Sequence, residues 1–181
     1  MKIAVFLAPG FEDIEAVTPV DVLRRAGFTV VTAAVGAQGL NVASAHDVTI
    51  VADARAEDLN PADFTMAVFP GGLPGATNLA ASQTATAFAT AVHARGGWAA
   101  AICAAPLALQ AAGLLAGHAY TCYPTMERKI GGNYTGRRVE RDRRVITACG
   151  PGASLDFALE LVRALGKPEV AEQLANSMLK A

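Results

Sequence analysis

Short apolar runs that alternate with helix-like segments constrain the fold of this chain more than any other feature. The run Lys2–Leu7 is apolar after its first residue and ends at Pro9-Gly10, which is typical of a strand buried on both faces. We predict further strands at 29–33, 48–51, 66–69 and 98–102, a charged hairpin over 139–147, and helices at 12–26, 82–94, 106–112, 154–165 and 167–179. Pro19 predicts a kink or a late start in the first helix. The alternation is typical of an α/β fold with a mainly parallel central sheet.

Length, charge and cysteine content exclude several classes of protein. The 181 residues contain no internal repeat or linker, so we expect a single domain over residues 1–181. The net charge of -1 provides no general attraction to nucleic acid or anionic lipid. Three cysteines, an odd number, do not suggest a disulfide framework, and no signal peptide is visible. We therefore expect a cytoplasmic protein that keeps its thiols reduced.

One long segment, between Arg95 and Glu127, contains no Asp, Glu, Lys or Arg. Hydropathy alone could assign such a segment to a membrane, but Pro106 lies near its middle and several glycines interrupt it. A spanning helix needs about 20 strongly apolar residues. We therefore predict a buried strand, a tight turn and a buried helix here, and no membrane association.

Cys103 lies at this tight turn, directly after the strand at 98–102 and before a helix. A residue at such a turn can present its side chain at the sheet edge, with the following amides directed towards it. The helix N-terminus favours the thiolate, so a lowered pKa is expected for a nucleophilic thiol. The alternative is a buried cysteine that acts as a small hydrophobic residue, and position alone does not decide between the two.

Gly71 and Gly72 follow the apolar strand at 66–69, where backbone amides without a Cβ can approach a substrate closely. The amides of Gly72 and Ala104 could then form an oxyanion hole, although a plain strand-to-helix turn is the alternative. A phosphate-binding loop is disfavoured because neither of the common glycine-rich signatures is present.

Glu15 lies one turn into the first predicted helix, after the end of the first strand. An ionised carboxylate there would repel a thiolate, whereas a carboxylic acid kept neutral by burial could donate a hydrogen bond and move protons. The alternative is an acidic residue that interacts with the helix dipole, a role that suits Glu12 and Asp13 better.

The remaining chemically active residues give weaker signals. Cys122 and Cys149 lie in apolar contexts, so interior positions are expected. The histidines at 46, 93 and 118 are too scattered for a metal motif, and no metal is predicted. The arginines of the hairpin at 137–144 are interrupted by two acidic residues, which favours a solvated face.

Five motifs together resemble one known family. They are Gly10–Glu15, Phe69–Gly72, Ala101–Pro106, Gly131–Thr135 and Gly150–Gly152, in this order along nearly the whole chain. The pattern resembles the ThiJ/PfpI superfamily, in particular the branch of the parkinsonism-associated protein deglycase and its bacterial relatives. The resemblance implies a flavodoxin-like three-layer sandwich, a homodimer, a reactive Cys103 and a protonated Glu15. It also implies oxyanion donors at the amides of Gly72 and Ala104.

The resemblance further implies a cofactor-independent enzyme that acts on small reactive carbonyls. Methylglyoxal or glyoxal would be converted to a 2-hydroxy acid, and glycated protein is a second implied substrate. A redox-responsive chaperone or sensor, acting through oxidation of Cys103, is the alternative. Peptide hydrolysis is disfavoured because Ala104 stands where the protease-like branch has a histidine.

The chain also departs from the family pattern at three positions. Ala105 replaces a common glycine, and Tyr123 stands where a histidine often precedes the proline. A phenol is a poor base near neutral pH, so the proton transfer would depend mainly on Glu15. His46 replaces an arginine that reaches across the dimer in some relatives. Tyr123, Gly71 and His46 are therefore predicted only as accessory residues of the site.

Overall fold

A seven-stranded sheet forms the centre of the protein in a computed structural model that describes residues 1–180. The strands lie in the order β10-β11-β7-β6-β1-β2-β5, and all neighbours are parallel except the antiparallel pair β10 and β11. Their bounds are Lys2–Leu7 (β1), Thr29–Ala34 (β2), Ala54–Arg55 (β5), Met66–Phe69 (β6), Trp98–Ile102 (β7), Val139–Asp142 (β10) and Val145–Ala148 (β11). The predicted α/β class with a mainly parallel sheet is confirmed.

Two small sheets flank the main one. An antiparallel hairpin is formed by Asn41–Ala43 (β3) and Thr49–Val51 (β4), and a parallel pair by Ala119–Tyr120 (β8) and Asn133–Tyr134 (β9). The strand predicted at 48–51 therefore exists, but it pairs outside the main sheet. β3, β5 and β9 were not predicted, because runs of two or three residues carry too little periodicity to identify a strand.

Helices cover both faces of the main sheet, which gives three layers. They are Asp13–Arg25 (α1), Gly75–Ala81 (α2), Gln83–Ala94 (α3), Pro106–Ala111 (α4), Glu127–Ile130 (α5), Ser154–Ala164 (α6) and Pro168–Ser177 (α7). α1 packs against α6 and α6 against α7, whereas α2, α3 and α4 pack against one another. The flavodoxin-like three-layer sandwich implied by the resemblance is thus confirmed.

Two helix predictions need correction. α1 begins at Asp13 and continues through Pro19, so a late start is wrong; the ring of Pro19 is buried in the face that α1 presents to the core. The segment before Gln83 also forms a helix, α2, which was not predicted. Ser82 separates the two helices, ending α2 and accepting a hydrogen bond from the Ala85 amide at 3.2 Å as the N-cap of α3.

The segment without charges contributes the buried centre of the fold. All five residues of β7 are buried, and Pro106, Ala108 and Leu109 of α4 lie in the core. Among the helices described between residues 1 and 180, none combines the length and the apolar character that a membrane span requires.

The strand order brings three loops to one place. From β1 the sheet is extended by β2 and β5 on one side, and by β6, β7 and β11 on the other. Ligand sites in open α/β sheets form at such a reversal, beyond the carboxyl ends of the strands. The loops that follow β1, β6 and β7 meet there. The first leads into the start of α1, which carries Glu15, and the other two carry Gly72 and Cys103.

Candidate active site

Cys103 lies on a sharp turn at the end of β7. Its φ is 63°, in the left-handed region, which costs a non-glycine residue roughly 1–2 kcal/mol. Two hydrogen bonds hold this conformation: the Cys103 amide donates to the Ala148 carbonyl at 2.9 Å, and the Tyr123 amide donates to the Cys103 carbonyl at 2.9 Å. The side chain is almost covered, since the residue is 8% exposed. Cys103 therefore occupies the strained elbow that the sequence predicts.

Backbone amides from two loops face the sulfur. The amides of Gly72 and Ala104 both interact with the Cys103 thiol, and both lower its pKa. Gly72 adopts φ 84°, and a Cβ at this position would lie 2.7 Å from the carbonyl oxygen of Gly10. Only glycine therefore fits where this loop turns towards the sulfur. The two amides predicted as oxyanion donors are thus brought together.

Glu15 is completely buried beside the same sulfur. Its Oε2 atom accepts a hydrogen bond from the Gly71 amide at 2.8 Å, and its carboxyl interacts with the Cys103 thiol. Glu12 caps the start of α1 by accepting from the Glu15 amide at 2.8 Å, which fixes the backbone from which Glu15 points inward. Burial raises the pKa of Glu15 to about 7. Near neutral pH this carboxyl can therefore hold a proton or give it up.

The pKa of the Cys103 thiol differs from the lowered value that the sequence predicts. Burial and the negative charge of Glu15 raise the pKa of the Cys103 thiol to about 12, against the lowering effect of the two amides. A lowered pKa is therefore wrong while Glu15 is ionised, because the position before a helix contributes less than desolvation and the neighbouring carboxylate. A proton on Glu15 removes the repulsive charge, so the thiolate is compatible only with neutral Glu15.

His46, predicted from the sequence as an accessory residue, lies on the loop between β3 and β4 and contacts the start of α1. Its Nδ1 atom is 2.7 Å from Oδ2 of Asp13, and this hydrogen bond raises the pKa of His46. The side chain is 68% exposed. Potential metal-ligating atoms of Glu12, Asp13 and His46 lie within 4.8 Å of one another. Sequence spacing did not reveal this group, because the hairpin brings its histidine from far along the chain.

Tyr123, also predicted from the sequence as an accessory residue, lies next to the turn that carries Cys103. Its amide holds the Cys103 carbonyl, and its side chain is half exposed. A Cβ at Gly150 would lie 3.3 Å from Cδ2 of Tyr123, so the ring packs closely on this glycine. Tyr123 thus forms part of the surface around Cys103.

The other two cysteines lie elsewhere in the interior. Cys122 is fully buried, Cys149 is half-buried, and all three cysteines are free. Burial, together with the charge of Glu127, raises the pKa of Cys122 to about 11. The prediction of interior positions is confirmed for Cys122, whereas Cys149 is only partly covered.

Comparison with known proteins finds relatives that match nearly the whole chain. Residues 1–164 match the DJ-1/PfpI family. Parkinson disease protein 7 homolog of Danio rerio is 39% identical over 180 residues, which cover 97% of this chain and 95% of the relative. Glutathione-independent glyoxalase DJR-1.2 of Caenorhabditis elegans is 35% identical over 184 residues, which cover 99% and 95% respectively.

Solved structures show the same fold. The crystal structure of a DJ-1 superfamily protein from Salmonella typhimurium superposes with a TM-score of 0.94 at 37% sequence identity. The match covers 99% of this chain and 98% of that one. The family match, the relatives and the shared fold together cover most of the chain, which therefore belongs to the DJ-1/PfpI family.

Proposed function

We propose that the protein is a cofactor-independent enzyme that converts small 2-oxoaldehydes, such as methylglyoxal or glyoxal, into 2-hydroxy acids. One observation supports this proposal above all: the buried carboxyl of Glu15, with a pKa of about 7, interacts with the Cys103 thiol. Two backbone amides interact with the same thiol. One relative, from Caenorhabditis elegans, bears the name glutathione-independent glyoxalase. We expect the protein to act in the cytoplasm, where thiol pools keep Cys103 reduced.

The first step forms a bond between sulfur and carbon. The Cys103 thiolate adds to the aldehyde carbon, and the carbonyl electrons move to oxygen, which gives a hemithioacetal. The amides of Gly72 and Ala104 stabilise the negative charge that develops on this oxygen. Neutral Glu15 is compatible with the thiolate, and burial favours this neutral carboxyl. Burial disfavours the thiolate itself, so the amides of Gly72 and Ala104, which lower the pKa of Cys103, must offset that effect.

The second step moves a proton between adjacent carbons. Neutral Glu15 first gives its proton to the oxygen of the hemithioacetal and becomes a carboxylate. The carboxylate then takes the proton from the former aldehyde carbon and returns it to the neighbouring carbon. The hydroxyl proton of the hemithioacetal passes to the ketone oxygen, so the ketone becomes an alcohol. The former aldehyde carbon is then a thioester of Cys103. Water hydrolyses this thioester, which restores the thiol and releases the 2-hydroxy acid. Substrate and water together account for every atom of the product, and no external oxidant is needed.

The same site suits a second substrate of related chemistry. An early glycation adduct on a protein contains the same carbon skeleton, so Cys103 could act on the adduct or only on aldehyde that dissociates from it. With Cys103 only 8% exposed, we expect free aldehyde to be the better substrate. A trapping thiol that removes free aldehyde distinguishes the two cases, because direct deglycation would continue in its presence.

Lactate formation from methylglyoxal, followed by nuclear magnetic resonance without glutathione, tests the proposed reaction. We expect turnover by the unmodified protein, and rates at least about a hundredfold lower for Cys103→Ser and Glu15→Gln, because general acid–base catalysis alone contributes a factor of this size. Cys149→Ser is the matched control and should retain its rate. Equal rates for the unmodified protein, Cys103→Ser and Glu15→Gln would reject the proposal.

We also propose that the protein is a homodimer. Ile14 and Val17 on α1 and Val51 on β4 are exposed, and Val17 and Val51 line one groove together with Ile50. Apolar surface of this kind is stabilised when a second copy covers it. Sedimentation should show a dimer, and Val17→Glu should yield a folded monomer. A monomeric unmodified protein would contradict this proposal.

Oxidation of Cys103 is the second candidate function. The amides of Gly72 and Ala104 already face the sulfur, so they could stabilise oxygen atoms added to it. Mild peroxide should then add two oxygens to Cys103, detected by mass spectrometry, and should change the binding of unfolded client proteins. Turnover of methylglyoxal without any binding that depends on oxidation would reject this alternative.

A further inference from the structure

A cavity of about 380 Å³ lies at the edge of the main sheet opposite Cys103. It is formed where β6 and β7 begin and where α3 and α6 end. Its apolar lining includes Phe64, Val92, Trp98 and Leu165, and its charged side chains are Arg95 and Arg144. No acidic side chain lines it within residues 1–180.

The two arginines lack the partners that neutralise their neighbours. Cζ of Arg144 lies 4.7 Å from the ring centroid of Trp98, and Cζ of Arg141 lies 4.8 Å from the same centroid. Arg141, however, is paired with Glu160 at 3.1 Å. Arg95 donates to the backbone carbonyls of Pro61 and Ala62, and in the described part of the chain neither Arg95 nor Arg144 has a carboxylate within 4.0 Å. The arginines of the hairpin are all exposed, so the predicted solvated face is confirmed, and Arg144 in addition lies against the ring of Trp98.

The charge around the cavity can be summed from its parts. The carboxyl end of a helix carries roughly half a negative charge, and two helices, α3 and α6, end here. Two guanidinium groups without carboxylate partners outweigh these two helix ends, and Lys2, whose Nζ lies 4.6 Å from the centroid of the Phe64 ring, adds a further positive charge. The surroundings of the cavity therefore carry a net positive charge that attracts an anion.

We propose that this cavity binds a small organic anion, namely a carboxylate attached to an apolar or aromatic body. The guanidinium of Arg144 would pair with the carboxylate, since its planar donors match the two oxygens. Trp98 and Phe64 would contact the apolar body. The site lies at the opposite edge of the sheet from Cys103, so the proposal does not depend on the proposed reaction.

Trp98 is the only tryptophan in the chain, so its fluorescence reports directly on this cavity. We would titrate the full-length protein with phenylacetate and expect a saturable change in emission. Phenylacetamide has the same shape without the charge and should give no saturable change. Inorganic phosphate lacks the apolar body and should also fail to saturate the signal. Calorimetry provides the same affinities independently of fluorescence.

Arg144→Gln should weaken phenylacetate binding at least about tenfold, the effect of losing one charge-assisted pair. Arg143→Gln is the matched control, because it removes the same charge from the adjacent residue, which pairs with Asp142 outside the cavity. Circular dichroism verifies that both variants are folded. The absence of a saturable response, or equal affinities for the unmodified protein and Arg144→Gln, would overturn the proposal.

Cys103→Ser separates this proposal from the proposed function. We expect Cys103→Ser to bind phenylacetate with unchanged affinity even where it has lost all turnover. Loss of binding in that variant would show that the carboxylate occupies the cysteine site instead, and would overturn the assignment to this cavity.

Discussion

The backbone nitrogen of Gly71 lies 2.8 Å from Oε2 of Glu15. The loop after β6 therefore touches the buried carboxyl directly and leaves no space for a side chain. A Cβ on Gly71 would lie 2.6 Å from Oε2 of Glu15 and 2.7 Å from Cβ of Cys103. A substitution at position 71 therefore affects the carboxyl of Glu15 and the side chain of Cys103 at the same time.

Gly71→Ala should therefore disable the site while the fold remains. The added methyl group must displace Glu15, Cys103 or the loop, and overpacking of this kind costs about 1–3 kcal/mol. We expect turnover of methylglyoxal to fall at least about tenfold, since a small misplacement of reacting groups is enough for such a loss. Gly152→Ala, where a Cβ would meet nothing within 4 Å, should leave turnover unchanged. Normal turnover in Gly71→Ala would refute the geometry.

The pKa of Glu15 predicts how stability depends on pH. Because burial raises this pKa from 4.5 to about 7, the folded state binds the proton more tightly than the unfolded state. The free energy of unfolding should therefore fall as pH rises from 4.5 to about 7, by about 3 kcal/mol from this group. Urea unfolding across this range measures the change. Glu15→Gln should flatten the slope, and a slope equal to that of the unmodified protein would contradict the prediction.

The reactivity of the thiol should respond to the same carboxyl. Above pH 7 Glu15 is ionised, and its charge contributes to the raised pKa of Cys103. Glu15→Gln removes this charge, so the pKa of Cys103 should fall and alkylation at pH 8 should become faster. Mass spectrometry of iodoacetamide-treated protein over a pH series measures the thiol pKa directly. A higher or unchanged pKa in Glu15→Gln would count against the coupling of the two groups.

Much of this arrangement could be predicted from the sequence, because the signals lie within short segments of the chain. Strands such as β1 and β7 are continuous apolar runs, and the loops after them begin with recognisable turn residues, so the positions of Cys103 and Gly72 follow from the chain itself. Glu15 was placed correctly for the same reason, because it lies one turn into the helix that follows β1.

The direction of the Cys103 pKa shift could not be predicted in the same way. It depends on how completely the folded chain excludes water from the thiol and on a carboxylate that is distant in sequence. The contact of His46 with Asp13 was missed for a similar reason, because it requires the hairpin of β3 and β4 to fold onto α1. Backbone hydrogen bonds, such as that from the Gly10 amide to the Ala43 carbonyl at 2.8 Å, make this docking.

His46 should titrate at a higher pH than an ordinary histidine because Asp13 accepts its hydrogen bond. Asp13→Asn should shift the pKa of His46 back towards its usual value. Asp47→Asn is the control: it removes the same charge from a residue that is not hydrogen-bonded to the ring and acts only weakly on it. Proton resonances of the imidazole over a pH series provide the measurement, and equal shifts in both variants would contradict the assignment.

Tyr123 should influence substrate binding more than the chemical step. Gly150→Ala must push the Tyr123 ring outward by a few tenths of an ångström, since a Cβ there would lie 3.3 Å from Cδ2. We expect Gly150→Ala to raise the KM for methylglyoxal about two- to fivefold and to leave kcat nearly unchanged. This pattern indicates the loss of a contact that the substrate and the transition state make equally. Tyr123→Phe should retain the pH profile of the unmodified protein. If Tyr123→Phe instead loses one limb of the pH profile, the hydroxyl of Tyr123 acts as a general acid or base in turnover.

The two hydrogen bonds that hold the Cys103 backbone have a consequence for the synthesis and folding of the protein. Their partners, Ala148 and Tyr123, come from segments that the chain synthesises after Cys103 itself. Cys103 therefore acquires its left-handed conformation only when these later segments have packed against the turn after β7. A nascent or partly unfolded copy carries a thiol without this backbone geometry, so the arrangement that the proposed reaction needs forms only after the segment that contains Ala148 has been added.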